Sequence, residues 1–191
     1  MTYLDATLYL SAAVLFVLPL FGCAFVDCTP HEGSLSISAI IDAKVLSTTY
    51  AFWGAVFLTS LTHFQIQCKK GLKVTLAIIG SKCLAVPLYL PFGSVSSDLY
   101  HYSFAIVGFT LEYGFIAAVL YDVTSSRKRP AGTGIIWVGT FTATAALLLM
   151  IYGFTPGVNT EYKRVVIIIS EYLFGSSLLV VTKACNYYRL Y

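Results

Sequence analysis

The sequence predicts an all-α membrane protein, a bundle of six transmembrane helices with both termini in the cytosol. The prediction rests on the composition, on six apolar runs of spanning length and on an uneven distribution of basic residues. Of the 191 residues, 58% are hydrophobic and 11% are charged, and the mean hydropathy is +0.79. Soluble domains carry roughly 25% charged residues. The composition therefore excludes an ordinary soluble domain.

Six apolar runs follow one another along the chain. They cover about 8–26, 45–65, 73–90, 102–121, 133–154 and 165–185. Each is near the ~20 residues that an α-helix needs to cross a ~30 Å hydrocarbon core. A barrel strand needs only about half that length, and no alternating polar face suits a barrel lumen. Because the connections are short, residues 1–191 are predicted to form a single six-helix domain.

Several spans carry a feature of their own. Span one is preceded by Asp5 and by no basic residue, which is atypical of a secretory signal and favours an uncleaved helix. Pro19 and Pro87 lie inside spans one and three and predict local kinks there. Small residues recur in spans two, five and six, in "AFWGAVFLTS", "GTFTATAA" and "FGSSL". Such residues let helix backbones approach closely in lipid, so we expect a tight bundle.

The basic residues predict the orientation. One side of the predicted membrane has eight of the 12, namely Lys69, Lys70, Lys73, Arg127, Lys128, Arg129, Lys183 and Arg189. The other side has Lys44, Lys163 and Arg164, and Lys82 lies within span three. The positive-inside rule therefore assigns both termini and the second and fourth loops to the cytosol. These short clusters beside the membrane favour contact with anionic lipid headgroups, not with nucleic acid.

Three charged side chains interrupt the apolar runs: Lys82 in span three, Glu112 in span four and Glu171 in span six. A charge at mid-helix costs about 2.5–3.5 kcal/mol on translocon scales, so such groups usually face the bundle interior and pair. In a structural interpretation, Lys82 pairs with Glu112, while Tyr113 and Tyr172 pack as aromatics. In a functional interpretation, the carboxylates line a luminal pocket in which Glu171 meets a headgroup amine and Lys82 meets phosphate. The sequence leaves both open.

The first luminal loop, "VDCTPHEGSLSISAIIDAK", is the longest connection. Its "SLSISAII" alternates small polar with apolar residues, which suits a short strand or an interfacial segment. A catalytic alternative combines luminal His31 or His101 with Ser96 or Ser97 and Asp98, but no motif spacing supports it. The three histidines fall on both sides of the membrane, so we predict neither a metal site nor a cofactor.

Three stretches resemble the six-span family of the DRAM, Frag and Sfk proteins: "PHEGSLSISAII", "LEYGFIAAVLYDVTSSRKRP" and "SEYLFGSSLLVV". Within that family they look most like the branch that includes the GPI-anchor lipid-remodelling factor. The positions that correspond to the family pattern are Pro30, Ser36, Ser38, Glu112, Ser125, Ser126, Glu171 and Tyr172. Pro30, Ser36 and Ser38 from this resemblance, together with the luminal His31, are the candidate functional residues of the first luminal loop.

The resemblance implies a non-catalytic protein that handles phospholipid or GPI-anchor lipid beside a larger membrane or lipid-transfer partner. It implies a secretory-pathway or endolysosomal membrane. Spans near the minimum crossing length favour the thinner endoplasmic reticulum or early Golgi bilayer over the plasma membrane. Two alternatives stay open: a structural adaptor whose buried charges fix helix register, and a hydrolase of a lipid ester or phosphodiester.

Overall fold

A computed structural model of the chain describes residues 2–25, 44–68, 71–89, 95–126, 131–154 and 160–188. Over these residues the protein consists of six α-helices and no strand. The helices are α1 Tyr3–Phe25, α2 Lys44–Gln67, α3 Leu72–Tyr89, α4 Val95–Ser125, α5 Thr133–Gly153 and α6 Thr160–Tyr187. The predicted all-α class is confirmed. Helix α4 begins seven residues before the apolar run that predicted it, and α6 begins five residues before its own.

Three of the described helices are long and apolar enough to cross a membrane, judged by length and composition. The qualifying segments are Leu99–Ser125 in α4, Thr133–Gly153 in α5 and Val165–Tyr187 in α6. In their most apolar parts only 28%, 33% and 39% of the residues are buried within the protein. Large side chains such as Phe141, which is 78% exposed, therefore face outward. Apolar surface on this scale is unusual on a soluble protein and suits lipid.

The most extensive helix contact joins α3 to α4, and glycines lie at their closest approach. A Cβ atom on Gly108 would lie 2.7 Å from the side chain of Leu84 and 2.9 Å from its backbone nitrogen. One on Gly80 would lie 3.1 Å from Cγ of Glu112. No side chain fits in either place without a shift, so the two glycines set the spacing of α3 and α4.

Helices α5 and α6 form the second extensive contact, again through small residues. A Cβ atom on Gly139 would lie 2.5 Å from Cγ2 of Val181, and one on Gly153 would lie 2.6 Å from Cγ1 of Ile167. Thr140 and Ala143 of α5 are buried on the same side as Gly139. The prediction that the small residues of span five support close packing is confirmed.

Two ion pairs join helices at one end of the bundle. Lys183 of α6 pairs with Asp5 at the start of α1, and Lys73 of α3 pairs with Asp122 near the end of α4. The hydrogen bond from Lys183 and a 2.8 Å bond from the Thr2 backbone N–H hold the pKa of Asp5 well below its usual range. We call this the Lys183 end.

The end of α2 lies at the Lys183 end as well. The amide of Asn186 in α6 donates to the carbonyl oxygen of Phe64 at 2.9 Å and to Sγ of Cys68 at 3.3 Å. The ammonium of Lys183 lies 4.1 Å from the centre of the Phe64 ring. Helix starts (α1, α3) and helix ends (α2, α4, α6) therefore meet on one side of the bundle.

Candidate functional site: an apolar cavity with a glutamate in its wall

A cavity of about 160 Å³ lies between α1, α2, α3, α4 and α6, in the half of the bundle away from the Lys183 end. Most of its wall is apolar, with Leu58, Leu84, Leu88, Phe109 and Phe174 among the lining residues. The rings of Phe109 and Phe174 meet edge to face, with centroids 5.1 Å apart. These large side chains form a hydrocarbon-like wall around the space.

Four polar side chains also line this cavity: Tyr50, His101, Glu171 and Tyr172. Glu171 lies close enough to Tyr50 and Tyr172 to interact electrostatically with both phenols. His101 is only 3% exposed. One carboxyl, one imidazole and two hydroxyl groups therefore occupy an otherwise apolar wall, which is the usual composition of a small-molecule site.

Tyr172 is held in place by α1. Its hydroxyl donates to the carbonyl oxygen of Phe16 at 2.9 Å, and the two rings lie 5.4 Å apart. This contact fixes the α6 backbone at the residue next to Glu171. The position of Glu171 in the wall is therefore set by packing of α6 against α1.

A smaller space of about 20 Å³ adjoins the main cavity on the α5 side. His101, Ala105, Phe109 and Glu171 line both spaces, and Met150 of α5 lines the smaller one. Glu171 and His101 thus lie where the two spaces meet. A ligand that fills the main cavity would have both polar groups in reach.

The other glutamate occupies a separate site. Glu112 is fully buried, and its two carboxyl oxygens accept hydrogen bonds from Oγ of Ser81 at 2.8 Å and from Nε2 of Gln65 at 2.6 Å. Within the described residues, Oε1 of Gln65 is buried and has no hydrogen-bond partner. We call Gln65, Ser81 and Glu112 the buried triad. It joins α2, α3 and α4.

The expected pair between Lys82 and Glu112 is replaced by the buried triad. Successive residues of an α-helix point about 100° apart. The turn of α3 that directs Ser81 at Glu112 therefore directs Lys82 away from the bundle, and Lys82 is exposed. Lys82 does not line the cavity either. Its predicted contact with a ligand phosphate beside Glu171 has no geometric basis.

The remaining candidate residues divide into two groups. The hydroxyl of Tyr113 lies 2.9 Å from Oγ1 of Thr144 and links α4 to α5, so Tyr113 has a packing role. The other group lies outside the described residues: the loop positions Pro30, His31, Ser36 and Ser38, and the side chains of Ser96, Ser97 and Asp98. Of the residues named for the catalytic alternative, only His101 has a described environment.

Comparisons with protein-family models, with curated proteins and with solved structures found no match for this chain. The class of protein is therefore defined by composition and fold: an all-α protein suited to a membrane, with a cavity inside its helices. Among the described residues, no group of three or more His, Cys, Asp and Glu side chains is placed to hold a metal ion.

Proposed function

We propose that all six helices cross the membrane, with both chain termini in the cytosol. The Lys183 end supports this, because the starts of α1 and α3 and the ends of α2, α4 and α6 meet there. An up-and-down bundle in which each helix crosses once has this arrangement. The cytosolic assignment rests on the excess of Lys and Arg in the loops at that end.

We further propose that the protein binds a phospholipid or a GPI-type lipid in its cavity and handles that lipid without chemically changing it. The observation that carries the proposal is an apolar cavity with Glu171 and His101 in its wall. An acyl chain suits the apolar part, because burying CH₂ groups in such a wall is favourable. A headgroup amine, such as that of ethanolamine, suits the carboxylate of Glu171.

The resemblance to the DRAM, Frag and Sfk family supports the same proposal. It adds a membrane of the endoplasmic reticulum or Golgi and a larger membrane or lipid-transfer partner. The cavity lies in the half of the bundle opposite the Lys183 end. In the proposed orientation it therefore lies in the luminal half of the membrane.

The test is native mass spectrometry of gently solubilised protein, with extraction of lipid from the same sample. We expect the wild type to retain a phospholipid or GPI species. Ala105→Trp, which fills both spaces from the wall of α4, should lose it. Val107→Trp is the matched control, because the Val107 side chain is 47% exposed on the same helix and lines neither space. A wild type without lipid, or equal retention in the two variants, would contradict the proposal.

The same preparation tests the role assigned to Glu171. Glu171→Gln keeps the size of the side chain but removes its charge, so we expect about a tenfold loss of an amine-bearing lipid, in line with the strength of a charge-assisted hydrogen bond. Tyr113→Phe is the control, because it removes a hydroxyl outside the cavity. Unchanged binding in Glu171→Gln would leave the apolar cavity as the site and reject the headgroup contact.

A further inference from the structure

Helix α3 has an outward face opposite its packed face. Thr75, Ile79 and Lys82 are exposed, Val86 is partly exposed, and their spacing puts all four on one side of the helix. We call them the Lys82 stripe. The main contacts of α3 are with α2 and α4. Among the described residues, the stripe is left without a covering helix.

Lys82 differs in its surroundings from the two lysines of the bundle that have a charged partner. Lys73 and Lys183 each pair with an aspartate at the Lys183 end. Lys82 has no ion pair or hydrogen bond with any residue that the structure describes. It is the eleventh of the 18 residues of α3, so the helix continues for roughly 10 Å or more on either side at ~1.5 Å per residue. In the proposed topology, in which α3 crosses the membrane, an ammonium at this depth is exposed to hydrocarbon, which is strongly unfavourable without a partner.

The stripe suits close approach of another helix. Apart from Lys82, its residues are short or branched and uncharged, and it contains no aromatic ring. In lipid, helices associate through close packing and through hydrogen bonds between polar side chains. A carboxylate on the approaching helix, at the depth of Lys82, would form an ion pair with the lysine, as Asp122 does with Lys73.

A second copy of this chain is a poor source of that carboxylate. Of the acids whose side chains the structure describes, Glu112 is buried in the triad, Glu171 lines the cavity, and Asp5 and Asp122 pair at the Lys183 end. The other five acids lie outside the six apolar runs of the sequence: Asp27, Glu32, Asp42, Asp98 and Glu161. We therefore propose that the Lys82 stripe is the docking surface for a transmembrane helix of a different protein, one that carries an Asp or Glu at mid-membrane depth. This proposal rests on the proposed topology, in which α3 crosses the membrane, and is independent of what the cavity binds.

The probe is a synthetic transmembrane peptide of Leu and Ala with one central Asp, mixed with the full-length protein in phosphatidylcholine vesicles at pH 7.5. Association is measured by energy transfer between a label on the peptide and one on the protein. We expect the Asp peptide to bind the wild type. Lys82→Gln should weaken this binding about tenfold, in line with polar contacts between membrane helices. Lys82→Glu should instead bind a peptide with a central Lys.

A control variant tests whether binding needs the Lys82 stripe or only an exposed lysine at the same depth. Phe141 is 78% exposed on α5 and is the ninth residue of that helix, at a depth similar to Lys82. The double variant Lys82→Gln, Phe141→Lys moves the lysine to this face. Binding as tight as the wild type, or equal binding of Lys82→Gln, would overturn the proposal. Thermal unfolding of each variant in detergent shows whether it is folded, and the Lys82→Glu charge exchange keeps the test decisive if Lys82→Gln is unstable.

Discussion

Glu112 illustrates how a single acid is accommodated in the bundle. Its carboxyl oxygens are satisfied by two neutral donors, the hydroxyl of Ser81 and the amide of Gln65. A buried polar group with hydrogen bonds avoids most of the desolvation penalty of an isolated one. Because the donors come from α2 and α3, the acid also fixes how these helices sit against α4.

We predict that removing this acid destabilises the fold. Glu112→Ala leaves the buried amide of Gln65 without its partner, so we expect a loss of about 1–3 kcal/mol. Glu112→Gln keeps the size of the side chain and one of its two acceptor oxygens, so one of the two hydrogen bonds can still form and it should lose less. Thermal unfolding in detergent compares the two. Equal loss in both variants would show that charge, not hydrogen bonding, is what Gln65 and Ser81 require.

At the scale of single residues, the sequence predicts which charged residues lie within the helices, but not toward which side of a helix each of them faces. An acid inside an apolar run is conspicuous, and Glu112 and Glu171 were both identified as buried or site residues on that basis. Gln65 was missed because a polar residue near a predicted span end normally faces the headgroups. Lys82 was assigned to the interior because a charge in lipid is costly. Its actual side depends on the rotation of α3, which Gly80 and Ser81 fix through contacts invisible in one sequence.

At the scale of helices, glycine contacts decide how closely α3 and α4 pack. We predict that Gly108→Ala forces these helices apart, because the new methyl group would meet both the side chain and the backbone nitrogen of Leu84. Overpacking of this kind typically costs about 1–3 kcal/mol. Gly134→Ala is the control, since nothing lies within 4 Å of its added methyl group. The unfolding temperature of each variant should separate them, and similar values would show that α3 and α4 can adjust.

The six helices were predictable because each coincides with one long apolar run of the sequence. The residues at which the helices begin were less predictable. Helix α4 extends back to Val95 through "VSSDLYH", a polar stretch that a hydropathy window treats as loop. Helical hydrogen bonding does not require apolar residues, so a helix can continue past the hydrocarbon region. The cavity was beyond prediction in detail, because it is enclosed by side chains of five separate helices.

At the scale of the whole molecule, the Asp5–Lys183 pair joins the first helix to the last. The pKa of Asp5 is lowered in the fold from its usual 3.8, chiefly by Lys183. Such a group adds stability above its ordinary pKa, and that stability is lost as the pH falls below 3.8 toward the lowered value. We predict that Asp5→Asn is less stable than the wild type at pH 7, with the difference shrinking at pH 3. A difference of equal size at both pH values would contradict the prediction, because the hydrogen bonds from Lys183 and from Thr2 both favour the charged form of Asp5.

During synthesis at the ribosome, the Asp5–Lys183 pair can form only after nearly the whole chain has been translated. Asp5 and Lys183 are 178 positions apart. At a translation rate of about 5–20 residues per second, Lys183 is added to the chain roughly ten to forty seconds after Asp5. In the proposed topology, α1 is in the bilayer during that interval with an unneutralised aspartate at its edge. We expect a nascent chain that stops before α6 to carry this uncompensated acid, a chemical difference by which cellular quality control could tell it from the folded protein.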